Sequence, residues 1–168
     1  QEPEVEECRV LSEPSIVQMD FKKVQSDKSF IGLVINPEWV SDPEETCPKK
    51  RLSTLQQLPI QKLCPTGFIF IWVDKRDVMP VCDLMEEMGY VYIENLTWIY
   101  MLPNNKVVLD KAQFVRSSHL TLYMFRKYNE GKDIELRHQR SPDVVMDCMV
   151  ASEGGPTKVP SEVYKSID

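Results

Sequence analysis

With 168 residues, 42% of them apolar and 27% charged, the chain has the size and composition of one globular domain that needs no staples to bury a core. Its longest apolar run, residues 67–73, is strand-sized and falls far short of the ~20 residues a membrane helix requires. A net charge of −6 argues against a nucleic-acid binder held by a uniformly basic face.

Taken in order, residues 1–14 carry Glu2, Glu4, Glu6, Glu7 and Glu13 against Arg9 and lack periodicity. They are expected to form an acidic extension outside the core, leaving the rest of the chain almost balanced in charge. Nothing at the start reads as a signal peptide, and the opening Gln1 is expected to mark a processed or trimmed segment. The five cysteines are scattered without CxxC spacing, and neither His119 nor His138 completes a zinc set, so reduced thiols are expected. Residues 30–35 are a short apolar run expected as a buried strand that stops at Asn36-Pro37. Residues 40–50 are polar and broken by Pro43 and Pro48, a loop. Ser53 is expected to cap a short helix whose Leu52, Leu55 and Leu58 form one buried stripe.

A turn at Pro65-Thr66-Gly67 leads into residues 68–73, where every side chain is apolar, as in a strand covered on both faces. Asp77 is placed to cap a helix from Val78, with Val81, Leu84, Met85 and Met88 at helical spacing and Gly89 as a left-handed stop. Residues 90–100 read as a β-branched and aromatic strand, Pro103-Asn104-Asn105-Lys106 as a turn, and residues 102–117 as a loop. Further strands are expected over residues 120–125 and 144–150, with a helix opening near Ser161. Alternation of strands with helices or long loops argues for a mostly parallel α/β sheet with helices on both faces.

At the end of the first strand stands Asn36-Pro37-Glu38-Trp39. Ligands of open α/β sheets bind beyond the carboxyl ends of the strands. An Asn/Asp-Pro-Pro-aromatic tetrad there is how amino-methyltransferases hold the exocyclic amine of a base. Three of the four positions fit, and Glu38 replaces the second proline.

The order of features resembles the MT-A70 family of adenine-N6 methyltransferases. The likeness is carried by Leu33-Val34-Ile35-Asn36-Pro37-Glu38-Trp39, by the strand at residues 67–73, and by Met88-Gly89-Tyr90 with Trp98. It continues through the strand at residues 118–127 and through Lys158-Val159-Pro160-Ser161-Glu162-Val163-Tyr164. Membership implies a Rossmann-like class I methyltransferase fold of the permuted type over residues 15–168. It also implies a nuclear location and work on nucleic acid, with DNA favoured over RNA.

The departures from the family pattern point one way. Glu38 removes a rigid turn residue and puts a carboxylate where a base would stack, which unpaired would cost several kcal/mol or force protonation. Tyr100 stands where the family often has a lysine, and Val159 lies beside the expected one. With six glycines and no Gly-x-Gly after any strand, the C-terminal part that would hold S-adenosylmethionine is expected to be missing. The resemblance therefore implies a non-catalytic subunit without cofactor of its own, like the inactive subunits of DNA adenine methyltransferase complexes. Its partner in a heterodimer would be a catalytic MT-A70 subunit holding S-adenosylmethionine. A divergent active methyltransferase and an unrelated α/β interaction module are the alternatives.

The loop containing Val107, Val108, Leu109, Phe114 and Val115 corresponds to a segment the family uses between subunits, and it is unusually apolar for exposed chain. The competing expectation is that it folds back onto its own core. Lys49, Lys50 and Arg51, with Arg137 and Arg140, are the compact basic clusters that could contact phosphates. His119 and His138 are expected to be structural or exposed rather than catalytic.

Overall fold

A computed structural model of the chain describes residues 29–37, 52–109, 114–128, 142–148, 160, 163–164 and 167. Five strands and three helices are defined in that span. The strands are β1 (Gly32–Ile35), β2 (Phe68–Val73), β3 (Tyr90–Met101), β4 (His119–Lys127) and β5 (Val144–Cys148). The helices are α1 (Ser53–Gln57), α2 (Ile60–Leu63) and α3 (Val78–Glu87). The acidic segment 1–14 and the loop 40–50 lie outside the described residues.

Local chemistry accounts for most boundaries. β1 stops before Asn36-Pro37, as proline has no N–H to donate to the ladder. Leu58 is extended (φ −70°, ψ 130°) because Pro59 follows it, so the apolar stripe is split into two short helices. Ser53 does not cap α1. Leu52 occupies that position without a side-chain cap bond, because burying Leu52 and Leu55 fixes where the turn begins. Asp77 does stand at the N-cap of α3, though no side-chain cap bond forms there; its main-chain carbonyl accepts from Val81 N–H at 2.9 Å. Gly89, at φ 82°, ends α3 in the left-handed region and donates to Glu86 O at 2.8 Å. β4 extends beyond the expected 120–125 at both ends, and β5 is described to Cys148, with residues 149–150 undescribed.

The sheet order is β1-β2-β4-β3-β5. β1 pairs parallel with β2, β3 pairs parallel with β5, and β4 runs antiparallel to both β2 and β3. Four strands thus share one direction and β4 alone is reversed. The sheet is mostly parallel, as the alternation of elements predicted, and its six-residue β2 is buried throughout. On one face Ile69, Ile71 and Val73 pack with Leu55, Ile60, Val81, Leu84 and Met85 of the three helices. On the other, Phe70, Trp72, Leu96, Trp98 and Leu122 pack against Val163, which lies in a helical turn.

β3 changes face midway. Tyr92 pairs with Phe125 but Glu94 pairs with Met124, so one extra residue is inserted between them. Such a bulge shifts the two-residue alternation by one. Tyr90 therefore joins the helical face, whereas Leu96 and Trp98 join the opposite one. There Trp98 meets Trp72 edge-on at 6.3 Å and Tyr100 at 4.8 Å.

Tyr90 ties four elements together. Its hydroxyl donates to Cys64 O, just past α2, at 2.7 Å. Lys127 of β4 sits over its ring at 4.8 Å and donates from Nζ to Met88 O, the C-cap of α3, at 2.9 Å. A cation there also complements the negative end of the helix dipole.

Burial pushes the Cys64, Cys82 and Tyr123 pKa values up, aided at Cys82 by the Asp83 carboxylate and at Tyr123 by Cys82 and Tyr92. The folded chain therefore retains protons that the unfolded chain releases once pH passes the ordinary thiol value of 9.0. Stability from these groups is full below that value and is lost as pH rises through the folded values. The urea midpoint should accordingly be lower at about pH 10.5 than at about pH 8, and Cys82→Ala should reduce the difference.

Candidate functional site

Because β1, β2, β3 and β5 run together, their carboxyl ends share one edge of the sheet, where open α/β sheets bind ligands. At this edge β1 delivers Ile35 into the core, Asn36 exposed to solvent, and Pro37 half-buried. The polar side chain of the tetrad is thus presented outward. Glu38 and Trp39, which complete it, lie outside the described residues.

Beside Asn36, β2 ends in a tight turn that leads to α3. The Asp74 carboxylate accepts from the Arg76 main-chain N–H at 2.9 Å and from Arg76 Nε at 3.0 Å, and Asp77 N–H donates to Asp74 O at 2.9 Å. Asp77 itself is fully buried. Lys75 reaches across to donate from Nζ to Val115 O at 3.0 Å, joining this turn to the segment entering β4.

The third component of the edge is the excursion between β3 and β4. Pro103 and Asn105 build its first turn. Leu102 O accepts from Asn105 N–H at 2.9 Å and Lys106 O from Leu102 N–H at 2.7 Å, with Asn105 left-handed at φ 60°. The Asn104 side chain accepts from Lys106 N–H at 3.1 Å. The chain then returns along β3, with a bridge between Met101 and Val107 and a bond from Val108 N–H to Tyr100 O at 2.8 Å. Of the five apolar residues singled out in this excursion, only Val108 is partly buried. Val107 (42%), Leu109 (57%), Phe114 (90%) and Val115 (74%) are exposed. Leu102 at the start of the turn is exposed as well. Among these five, the return along β3 shields only Val108.

His119 is exposed at the start of β4, opposite Ile99. His138 and the basic residues Lys49, Lys50, Arg51, Arg137 and Arg140 lie outside the described residues. Among the described residues no group of three or more His, Cys, Asp or Glu is placed to hold a metal, and no helix is long and apolar enough to cross a membrane. Cys64, Cys82 and Cys148 are free thiols. Among the described residues, the fold brings Lys75, Arg76, Lys106 and Arg116 to this edge. No compact basic run announces them, since 40 residues separate Lys75 from Val115.

A sheet of four co-directional strands and one reversed strand, flanked by helices and carrying an Asn-Pro corner at its carboxyl edge, defines a methyltransferase-like α/β domain. The MT-A70 family model matches residues 30–167, so the chain belongs to the MT-A70 family and is related to the adenine-N6 methyltransferases. A comparison with curated proteins finds no match for it. Family membership sets aside the reading of the chain as an unrelated α/β interaction module.

Proposed function

We propose that the chain is a non-catalytic subunit of a heteromeric adenine-N6 methyltransferase. In this reading it docks on a tetrad-bearing MT-A70 chain, which holds S-adenosylmethionine, and together they act on nuclear nucleic acid, DNA in preference to RNA. The observation that carries the reading is the exposed set Val107, Leu109, Phe114 and Val115 at the same edge of the sheet as Asn36. Large apolar side chains clustered in solvent mark a surface that another protein covers. Glu38 supports the non-catalytic half, since an acid at the third tetrad position opposes stacking of a base.

The test is to purify the chain with its natural partners and identify them by mass spectrometry, then titrate the isolated chain with S-adenosylmethionine in a calorimeter. A tetrad-bearing MT-A70 partner is expected, with no heat of cofactor binding by this chain. Micromolar binding by this chain would overturn the non-catalytic assignment. Asn36, retained and exposed, favours the competing reading of a divergent active enzyme. That reading requires Glu38→Ala to abolish turnover of the assembled complex.

A further inference from the structure

Lys75, Arg76 and Arg116 come from two separate elements, and the Lys75–Val115 bond holds those elements together. All three side chains are exposed. Their partners differ in a way that matters for charge. Arg76 is ion-paired with Asp74 at 3.0 Å, so its charge is largely cancelled at a distance. Lys75 donates to the Val115 carbonyl at 3.0 Å and Arg116 to the Leu109 carbonyl at 3.5 Å. A carbonyl is a neutral acceptor: it positions a cation without neutralising it. Neither Lys75 nor Arg116 has an acidic partner among the described residues. The first turn of α3, which follows directly, contains no acid, although the N-cap Asp77 is buried behind it. Among the described residues, a chain of net charge −6 therefore presents two oriented cations without an ion-pair partner at the edge of the sheet that Asn36 shares.

We infer that Lys75 and Arg116, flanked by Arg76, contact successive phosphates of the nucleic-acid backbone and set its position across the carboxyl edge of the sheet. The inference rests on the proposed function, because it supplies the phosphate contacts that a subunit of such a complex would make. Contacts of this kind fix register without reading bases. They release counterions, so binding must weaken with salt at about 0.9 logarithmic units per contact in duplex DNA.

The test compares the complex carrying Lys75→Gln with Arg116→Gln against the wild type and against Lys62→Gln. Lys62 is an exposed cation on α2, at the opposite edge of the sheet, where Leu63 O meets the start of β1. Fluorescence anisotropy with a labelled DNA duplex, and with RNA of the same sequence, is measured at several salt concentrations. The double variant should bind both roughly tenfold more weakly, with the salt slope reduced by about 2, while Lys62→Gln leaves the slope unchanged. A double variant whose slope equals that of the wild type or of Lys62→Gln would overturn the inference. So would an unchanged slope accompanied by loss of an acidic subunit, which would assign these cations to a protein contact. The purified subunits are identified in the same preparation. Absence of an MT-A70 partner would count against the proposed function, while the salt slope still decides the phosphate contacts.

Discussion

Gly67→Ala should cost about 3 kcal/mol and lower the melting temperature by roughly 10 °C, among the larger effects of adding one carbon. The reason is backbone proximity. A Cβ at residue 67 would fall onto the Ile31 carbonyl oxygen, 2.5 Å from its carbon and 2.7 Å from Cys64 Sγ. Neither carbonyl atom can yield without breaking the Phe68 N–H bond to Ile31 O (2.9 Å) that starts the β1–β2 ladder. Gly32 is the internal comparison. A Cβ there would meet only Phe70 Cε2 at 4.0 Å, so Gly32→Ala should change stability by less than about 0.5 kcal/mol. Urea denaturation of both variants checks the pair, and equal midpoints would refute the close approach at Gly67. Because β1 carries Asn36, losing this ladder should also displace the corner.

Phe114→Asp should leave the isolated chain as stable as the wild type, within about 0.5 kcal/mol, because the ring is 90% exposed and little is lost with it. In the proposed complex the outcome should be opposite. An unpaired carboxylate at the centre of an apolar interface costs several kcal/mol, which at 1.4 kcal/mol per tenfold weakens assembly by more than about a hundredfold. Leu109→Asp should behave alike, and Val108→Asp should instead destabilise the isolated chain, since Val108 is partly buried. Co-purification and sedimentation of each variant, beside its thermal melt, separate the two effects. A Phe114→Asp chain that still assembles at wild-type affinity would place the partner elsewhere.

Elements specified by neighbours in sequence are legible from the sequence alone. The apolar run of β2, the helical spacing of Val81, Leu84 and Met85, and the stop at Gly89 are local signals, and each appears where expected. The Pro103–Asn105 turn is legible for the same reason. Features set by distant pairing are not. The reversal of β4 follows from its registers with β2 and β3, and nothing within His119–Lys127 announces its direction. The β3 bulge is hidden in a run where Tyr92, Ile93 and Trp98 read as strand in either phase. Ser53 had the chemistry of a cap but lost to the burial of Leu52 and Leu55. At the candidate site, Asn36 and the apolar excursion were recognisable from composition and place. Lys75 and Arg116 were not, because only the fold makes neighbours of their segments.

The central place of β4 has a consequence for biosynthesis. Val73 must wait for Thr121, and Phe68 for Arg126, before the middle of the sheet can close. At ribosomal rates of about 5–20 residues per second, the nascent chain carries an unzipped apolar ribbon for several seconds. During that interval β2 has only β1 on its flank, and Phe68, Phe70 and Trp72 lack the cover that Leu96, Trp98, Leu122 and Val163 later supply, a composition prone to self-association. The yield of native protein should therefore depend on chaperone capacity more than on the final stability of the fold.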